Sequence, residues 1–257
     1  MNDIPRKDQG SSLNAVEPSI HRVRLIARRE VALRTMALYF ERPAGFSFNA
    51  GQFIDLTLLA PPETDSQSNA RAFTIASAPS EEQLLVVTRL RNTAFKRVLA
   101  GMPYGTMVSI EGPFGNLTLP ETAVRPLVFL AGGIGITPFR SMLVEAATQH
   151  LPHRLVLFYS NRHPEDAPFL HELQDLQRKI SSYTFVATMT QMEESDDSWT
   201  GETGYLDHAM LTRHLQGIES PLYYIVGPPA MVKALRAMLK NAGVRQVDIR
   251  TEEFAGY

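Results

Sequence analysis

A glycine cluster between an apolar run and a helical pattern is the strongest chemical signal in this sequence. In LVFLAGGIGITPFRSM the apolar run ends at Gly132, Gly133 and Gly135, whose missing side chains let backbone N–H groups approach an anion. Thr137 is predicted to cap a helix whose first residue is Pro138, because the missing N–H of proline would be unpaired there anyway. The pattern predicts a phosphate cradle at the positive end of a helix.

Two further motifs combine a strand with groups that a ligand could use. RAFTIAS is typical of a strand whose alternation puts Arg71 on one face and Thr74 on the other. YYIVGPPAM is typical of a strand that runs into a turn at Gly227 and Pro228, with a helix beginning near Ala230. A glycine-rich turn also occurs where close packing is the only requirement, so the glycine cluster alone does not decide between binding and packing.

The elements that must position these motifs fall into two groups along the chain. Short apolar segments between Pro, Gly, Asn and Ser clusters fill residues 19–123 and predict an antiparallel β-barrel domain. In residues 124–257 apolar strands alternate with helical patterns, which predicts an α/β domain with a parallel sheet covered on both faces. Residues 1–18 are polar and predict a disordered tail. The predicted fold is therefore two-domain, with the boundary near Val124.

Composition excludes several classes of site. The 257 residues contain no cysteine, so they cannot hold a ferredoxin-type iron–sulfur cluster, a disulfide or a thiolate zinc site. Among seven histidines, His150 and His153 lie close together beside a proline, a pattern that favours a solvated loop, and no metal site is predicted. A formal charge of −2 gives no general attraction to nucleic acid, and no apolar run reaches the ~18 residues of a membrane span. We expect a cytoplasmic protein without a membrane segment.

The order of the motifs is more specific than any single motif. RAFTIAS, then GPFG at residues 112–115, GGIGITP, GPPAM and a final EEFAGY together resemble the ferredoxin–NADP reductase superfamily of flavoenzymes. The resemblance runs from about Ser19 to Tyr257. It implies a single-chain flavin reductase without an iron–sulfur domain, with a flavin in the first domain and a nicotinamide coenzyme in the second.

The strand RAFTIAS is implied to hold the flavin. By resemblance, Arg71 pairs with the flavin phosphate, which suits the planar fork of donors on a guanidinium group. Thr74 is implied to offer its hydroxyl near flavin N5, Ala72 to line the site and Ser77 to close the motif. Phe73 stands where the family usually has tyrosine, so an aromatic surface remains without its hydroxyl group.

The segment RLRNTAFKRVLAG is similar to the second flavin segment of the family, in which a short helix presents its N-terminus to phosphate. The resemblance implies that Thr93 and Ala94 bring hydroxyl and backbone donors to that group, with Arg89 nearby. On the rest of the helix, the amphipathic pattern predicts that Lys96 and Arg97 are solvated.

The resemblance assigns the glycine cluster and the proline-rich turn to the nicotinamide coenzyme. The proline-rich turn is implied to lie against the nicotinamide end, opposite the glycine cradle, and Val226 stands where many relatives have cysteine. The residues implied at this coenzyme are Gly132, Gly133, Gly135, Thr137, Pro138, Gly227, Pro228 and Pro229.

The choice between related coenzymes rests on two segments. FAD is predicted rather than FMN because the loop at residues 61–69 is long enough to flank an adenosine. Ser160 and Arg162 could bind a 2′-phosphate, yet Asn161 followed by Arg162 also resembles relatives that use NADH, so both NADH and NADPH stay open with a preference for NADH. Acidic residues that follow, Glu165 and Asp166, are predicted to cap the next helix.

The C-terminal segment is implied to bring an aromatic ring beside the flavin. Phe254 is the first choice for that ring and Tyr257 the second. Glu253 or its neighbour Glu252 is implied to relay a proton or to position the nicotinamide, so Thr74, Glu253 and Phe254 are the predicted catalytic residues.

The predicted reaction passes electrons from NADH or NADPH through the flavin to an external acceptor such as a ferredoxin, a flavodoxin, a haem protein or a ferric chelate. The alternative is a flavin-binding sensor or electron-transfer subunit that does not turn over alone. A short-chain dehydrogenase is excluded, because no tyrosine is followed four residues later by lysine. We expect a monomer or weak oligomer. Arg22, Arg24, Arg28, Arg29 and Arg34 form a possible docking surface, although solvated strands often carry such charges.

Overall fold

Two six-stranded sheets follow one another along the chain, the first antiparallel and the second parallel. The computed structural model describes residues 17–64, 66, 68–195 and 197–254, so most of the predicted disordered tail lies outside the described residues. The order of an antiparallel and then a parallel sheet confirms the predicted fold class. The last strand of the first sheet ends at Phe114 and the first strand of the second begins at Leu127, while the boundary near Val124 stays a prediction.

Alternation of side chains explains the first sheet. In β1 (Ser19–Ala32), Val23 and Leu25 are buried while Arg22 and Arg24 are exposed, as expected of a strand with one face on a core. The sheet continues through β2 (Thr35–Phe40), β3 (Phe53–Leu58), β4 (Ala70–Thr74), β5 (Leu84–Arg89), the helix α1 (Ala94–Gly101) and β6 (Met107–Phe114). β6 therefore includes the first three residues of the GPFG motif.

The first sheet is barrel-like and stays open along one seam. Its strand order, β4-β3-β6-β1-β2-β5, leaves β4 and β5 as the two ends, without a ladder between them in the described residues. Just beyond β4 the edges meet, because the N–H of Ala76 donates to the carbonyl of Leu85 at 2.7 Å. The gap between residues 71–74 and 87–89 is wide enough to hold a cavity.

Continuous apolar strands explain the second sheet, since helices cover both of its faces. Its strand order is β10-β9-β8-β7-β11-β12, with every pairing parallel. The elements are β7 (Leu127–Gly132), α2 (Thr137–Thr148), β8 (Leu155–Asn161), α3 (Leu170–Lys179), β9 (Tyr183–Met189), β10 (Glu202–Thr203), α4 (His208–His214), β11 (Leu222–Gly227), α5 (Pro229–Asn241) and β12 (Ile249–Glu253), with 3₁₀ turns at Gly133–Ile136, Pro164–Asp166, Met192–Glu194 and Gln246–Asp248.

The helix that follows β8 starts later than the sequence predicted. Glu165 and Asp166 form a 3₁₀ turn, and α3 begins after Phe169, which adopts a left-handed conformation. The prediction that these two acids cap α3 is therefore wrong. Both carboxylates instead contact neighbouring polar side chains: Glu165 accepts from the hydroxyl of Ser195, and Asp166 forms an ion pair with Arg162.

One buried arginine joins the two domains. Arg140 of α2 is 6% exposed and donates to the carbonyl of Ala76 and to the carboxylate of Glu81, both in the first domain. Its other donors reach Glu172 of α3, and its guanidinium lies 4.9 Å from the centroid of the Phe169 ring. This network holds α2 against the loop that follows β4.

Among the described residues, no helix combines the length and the apolar character that crossing a bilayer requires. The same residues contain no cluster of three or more His, Cys, Asp or Glu side chains suited to a metal ion.

Candidate functional site

The open seam between β4 and β5 holds a cavity of about 510 Å³, called here the seam cavity. Both domains contribute to its walls, because the start of α2 and the end of β12 close it from the side of the second sheet. It is lined by residues 71–74 of β4, 87–89 of β5 and Phe53 of β3, by Lys96 of α1, by Ile134 and Thr137, and by residues 252–254.

Two cations stand over two stacked phenyl rings at one wall of the seam cavity. The rings of Phe73 and Phe95 lie 6.1 Å apart at 26°. The guanidinium of Arg71 lies 5.0 Å from the Phe95 centroid, and the ammonium of Lys96 lies 4.8 Å from the Phe73 centroid. Arg71 also donates to the carbonyls of Ser68 and Ala70, which orients its fork. The prediction that Lys96 is solvated is wrong, because its side chain turns into the cavity.

The other residues of RAFTIAS divide between the cavity and the core. Ala72 and Thr74 line the seam cavity, and Thr74 is 8% exposed. Ser77 lies away from the cavity lining and is 1% exposed, because its hydroxyl accepts from the N–H of Leu85 and its carbonyl accepts from the hydroxyl of Ser141. Ser77 thus connects β5 to α2, which is a structural position.

The start of α1 has a side-chain cap. The hydroxyl of Thr93 accepts from the N–H of Lys96 at 3.3 Å, as expected of a threonine in the N-cap position. Ala94 is the first helical residue and is buried. Neither Thr93 nor Ala94 lines the seam cavity, so their predicted contact with phosphate stays a prediction.

The end of β12 places two carboxyl groups and a ring at the opposite wall. Glu252 pairs across the sheet with Val226, and burial raises the pKa of its carboxyl group to about 7. Glu253 is exposed, although it also lines the cavity. Phe254 is fixed by its backbone, whose N–H donates to the carbonyl of Gly227 at 3.1 Å. Tyr257, the second choice for the aromatic ring, lies outside the described residues.

Replacing the half-buried carboxyl group by an amide is expected to change how stability depends on pH. Without cofactor, the free energy of unfolding of the unsubstituted protein should fall between about pH 4.5 and pH 7. The free energy of unfolding of Glu252→Gln should stay constant over the same range. The raised pKa of Glu252 gives the sign. As pH rises, the unfolded state loses this proton near pH 4.5, whereas the folded state keeps it until near pH 7. The unfolded state is therefore increasingly favoured between these two values. The difference should reach on the order of 2 kcal/mol at pH 8, measured by urea unfolding.

The exposed neighbour provides the control. Glu253→Gln changes the same type of side chain at the next residue and should leave the pH profile of unfolding unchanged. Equal profiles for the unsubstituted protein and the Glu252→Gln variant would show that burial does not hold the proton on Glu252.

A second cavity of about 1140 Å³, called here the cleft cavity, lies at the carboxyl ends of the parallel strands. Open α/β sheets bind ligands at this edge. Arg89 lines both cavities and also contacts Asp166 of the second domain at 3.7 Å, so the two cavities adjoin at this side chain. Gly132 and Gly133 of the glycine cluster and Pro228 of the proline-rich turn line the cleft cavity, while their contact with a coenzyme stays a prediction.

The glycines of the cluster are needed for different reasons. Gly133 has φ +51°, a left-handed conformation that favours glycine. A Cβ atom at Gly132 would meet the sulfur of Met231 at 2.3 Å, whereas one at Gly135 would meet the carbonyl oxygen of Val226 at 2.4 Å. Gly135 is therefore a packing residue between the 3₁₀ turn and β11, and Gly132 and Gly133 are the two that face the cleft cavity.

The helix after the glycine cluster begins one residue earlier than predicted. α2 starts at Thr137, and its N-cap is Ile136, which makes no side-chain cap. The hydroxyl of Thr137 donates back to the carbonyl of Ile134 at 3.1 Å, so the prediction that Thr137 caps the helix is wrong. Pro138 is buried in the first turn of α2. Backbone N–H groups have no intrahelical acceptor in this turn, so a proline there costs no helical hydrogen bond.

The proline-rich turn starts α5 directly after β11. Pro228 precedes the helix and Pro229 is its first residue, so the helix begins slightly before Ala230. Gly227 faces Gly132, since a Cβ atom at Gly227 would lie 3.2 Å from the Gly132 nitrogen. The two loops at the ends of β7 and β11 are therefore in close contact at the floor of the cleft cavity.

The end of β8 places three predicted residues at the cleft cavity. Ser160, Asn161 and Arg162 all line it. Arg162 forms an ion pair of 2.5 Å with the buried Asp166. The side-chain amide of Asn161 is 6% exposed, and neither its oxygen nor its nitrogen has a hydrogen-bond partner among the described residues. A buried amide without partners is unfavourable, so Asn161 offers a donor and an acceptor to a ligand.

The structure adds cleft residues that the sequence did not identify. Thr190 and Glu194 follow β9, Tyr205 and Leu206 follow β10, and Met231 lies in the first turn of α5. Residues 191–204, between β9 and the lining residue Tyr205, contain the 3₁₀ turn and β10. These residues could have been identified from their position just after predicted strands, because the carboxyl ends of neighbouring parallel strands meet at one edge of a sheet.

Three of the arginines of β1 have local partners. Arg24 pairs with Glu41 at 3.6 Å, Arg28 donates to the carbonyl of Met102, and Arg29 lies 5.8 Å from the Tyr39 ring centroid. These contacts support a solvated strand face, as the sequence favoured.

Comparison with known proteins finds a family that matches part of the chain and relatives that match most of it. Residues 129–237 match the family described as the oxidoreductase NAD-binding domain. The reductase component of propane 2-monooxygenase from Rhodococcus jostii is 27% identical over 95% of this chain and 65% of that protein. The glycine betaine monooxygenase reductase subunit from Chromohalobacter salexigens is 28% identical over 86% of this chain and 60% of that protein. The chain thus spans less than two thirds of the length of these curated relatives.

Solved structures show the same fold. The Amycolatopsis cytochrome P450 reductase GcoB superimposes with a TM-score of 0.77 at 20% identity, covering 93% of this chain and 71% of that chain. A ferredoxin NADP⁺ reductase from Neisseria gonorrhoeae with bound FAD and NADP superimposes with a TM-score of 0.74 at 23% identity, covering 91% and 98%. The domain match and this shared fold confirm the resemblance predicted from the order of the motifs.

Proposed function

We propose that this chain, which has the fold of the ferredoxin–NADP reductase superfamily and its NAD-binding domain, is an NAD(P)H-dependent flavin oxidoreductase. It passes electrons from a nicotinamide coenzyme through bound FAD to a separate acceptor. The observation that carries the proposal is the adjacency of the two cavities, which share Arg89 and are both walled by the two domains. Such an arrangement can hold two planar rings against each other.

The residues of the seam cavity fit a flavin nucleotide. Arg71 supplies a guanidinium fork for phosphate at one wall, and the hydroxyl of Thr74 lies on the same strand. Phe254 supplies an aromatic ring at the other wall, beside the half-buried carboxyl group of Glu252. The bound FAD would supply the redox chemistry, accepting a hydride and releasing electrons singly or in pairs.

The protein residues at this junction can hold a proton and add apolar bulk. Burial keeps the pKa of Glu252 near 7, so its carboxyl group can give or take a proton close to neutral pH. We therefore assign the proton-holding role to Glu252, and Glu253 is its exposed neighbour. Val226 adds branched apolar bulk behind the glycine cluster, where its carbonyl touches the turn at Gly135.

The cleft cavity fits a nicotinamide dinucleotide. Arg34, Arg89 and Arg91 line it together with several carboxylates, and the carboxylates that follow β8 and β9 favour NADH. Gly132 and Gly133 leave room for a phosphate to approach backbone, and Asn161 has unused polar atoms. Glu165 and Glu194 also line the cavity, and Arg162 is already held by Asp166. Carboxylates suit a free ribose diol and repel a 2′-phosphate, so we propose NADH as the preferred donor.

The acceptor in this proposal is a separate redox protein. The chain has no cysteine, so an iron–sulfur centre held by cysteine must lie outside these 257 residues. Relatives named as reductase components of oxygenases support an acceptor of this kind. We further propose a monomer or weak oligomer, located in the cytoplasm, where reduced nicotinamide coenzymes are available.

An anaerobic titration tests the proposed function. The purified protein, loaded with FAD, should lose its flavin absorbance on addition of NADH and should need a higher concentration of NADPH for the same change. A protein that stays yellow with both coenzymes would instead be a flavin-binding sensor or subunit. A chain that retains neither FAD nor FMN would reject the proposal.

Removing the guanidinium fork is expected to release the flavin. Arg71→Ala should weaken FAD binding about 10- to 100-fold, because a charge-assisted contact to phosphate is lost. The measurement is the ratio of flavin to protein absorbance after gel filtration, with a dissociation constant from fluorescence quenching. Arg22→Ala, at an exposed arginine of β1, is the matched control and should retain its flavin. Unchanged flavin content in Arg71→Ala would reject the phosphate role.

A further inference from the structure

Lys96 is a cation that faces the seam cavity and has no carboxylate partner among the described residues. Its ammonium group donates to the hydroxyl of Thr88 and lies 4.8 Å from the Phe73 centroid, and it forms no ion pair with a carboxylate of the described residues. Burial, with the nearby charges of Arg71 and Arg91, lowers the pKa of Lys96 to about 8. A partly desolvated cation is unfavourable unless an anion accompanies it, and the described residues leave a position for an anion that they do not supply.

The neighbouring residue on the same helix shows how a charge is otherwise compensated. Arg97 points to the surface and donates to both carboxylate oxygens of Glu63, at 3.0 and 2.6 Å. Lys96 has no such partner in the described residues, although it is more deeply buried than Arg97. Surface charge pairing therefore accounts for Arg97 and leaves Lys96 unexplained.

We propose that Lys96 is a second phosphate ligand of the flavin, acting beside Arg71 at the same wall of the seam cavity. The inference rests on the proposed function, because it takes a flavin nucleotide as the occupant. The two cations stand over adjacent stacked rings, and together they match a phosphate group, which is the charged part of an oxidised flavin nucleotide. The neutral ring system offers Lys96 no comparable partner.

A dependence of binding on pH follows from this role. An adjacent phosphate favours the charged ammonium group, so FAD binding should take up a proton above about pH 8, and affinity should fall as pH rises further. The other charged groups facing the cavity are Arg71 and Arg89 from β4 and β5, with Arg91 just beyond, and Glu252 and Glu253 from β12. Glu252 titrates near pH 7, so comparison of about pH 8 with about pH 9.5 isolates Lys96.

Affinities of the full-length apoprotein for FAD, FMN and riboflavin test the proposal, since riboflavin lacks phosphate. Lys96→Gln should weaken FAD and FMN binding about 10- to 100-fold and riboflavin binding less than about 3-fold, and it should remove the loss of FAD affinity above pH 8. Lys96→Arg should restore most of the affinity for both nucleotides. Lys179→Gln, at an exposed lysine of α3, is the matched control and should change none of these values.

Two results would overturn the proposal. If Lys96→Gln lost as much affinity for riboflavin as for FAD, Lys96 would contact the ring system or support folding. If its affinity for FAD were unchanged, Lys96 would not belong to the site. The urea midpoint of each variant shows whether it is folded, and Lys96→Arg keeps the test valid should the glutamine variant be unstable. Failure of the unsubstituted protein to bind any flavin would reject the proposed function itself, a result distinct from both.

Discussion

Arg140→Met should destabilise the protein by about 3 kcal/mol, because it leaves two carboxylates around a buried position without their cation. Arg140 is 6% exposed, while the side chains of Glu81 and Glu172 are 35% and 34% exposed. Water can reach the carboxylates, which places the cost at the lower end for a broken buried ion pair. The free energy of unfolding in urea measures this change.

The same substitution should slow reduction of the flavin by NADH. Arg140 connects α2 with the carbonyl of Ala76, close to the strand that carries Thr74. A small displacement between domains changes the distance over which hydride moves, and misplacement by about 1 Å can cost about 100-fold in rate. Stopped-flow measurement of flavin bleaching should therefore show a rate reduced at least about 10-fold at saturating NADH.

Two further variants test whether the unpaired carboxylates cause the loss of stability. Arg178→Met removes an arginine of α3 that is 82% exposed and pairs with Asp175, so it should cost less than about 0.5 kcal/mol. Combining Arg140→Met with Glu81→Gln and Glu172→Gln removes the stranded charges and should recover part of the lost stability. A triple variant no more stable than Arg140→Met would show that charge is not the cause.

Among alanine substitutions in the glycine cluster, Gly135→Ala should lower the free energy of unfolding most. Its Cβ atom would lie 2.4 Å from the carbonyl oxygen and 2.6 Å from the carbonyl carbon of Val226, which are backbone atoms of a central strand. No change of rotamer relieves such a contact, so we expect a loss of about 3 kcal/mol or more. Unfolding midpoints and the yield of folded protein provide the measurement.

Other glycines give matched comparisons. Gly132→Ala would contact the sulfur of Met231, a flexible side chain that can move into the cleft cavity, so the variant should fold, retain flavin and bind NADH more weakly. Adding Met231→Ala should restore NADH binding. Gly101→Ala, where no atom lies within 4 Å of the added Cβ, should be neutral. Full stability of Gly135→Ala would contradict the packing role.

The sequence located part of the site through the resemblance and not through periodicity. Alternation along β4 puts Arg71 and Thr74 on opposite faces, whereas the resemblance assigned both to the flavin, and both line the seam cavity at the open end of the sheet. Periodicity could not choose between Glu252 and Glu253, because burial of Glu252 depends on closure by both domains. The same limit applies to Lys96, since an amphipathic pattern places a charge in solvent and contains no information about the open seam.

Residues brought together only by the ends of neighbouring strands also escaped prediction. Thr190 and Tyr205 lie far from the glycine cluster in sequence and reach the cleft cavity through the parallel order of the sheet. Thr137 was misassigned for a local reason, because a 3₁₀ turn precedes α2 and its backbone takes the place of a side-chain cap. Backbone hydrogen bonds of this kind leave no mark in the pattern of residue types.

The unclosed edge between β4 and β5 links the proposed flavin cofactor to the amount of folded protein in the cell. Both halves of the molecule supply walls of the seam cavity, and a ligand that binds there only to the native state raises the population of that state by mass action. Recombinant yield should then track how much riboflavin the growth medium supplies. Vitamin-starved cultures should accumulate the chain as proteolytic fragments or inclusion bodies.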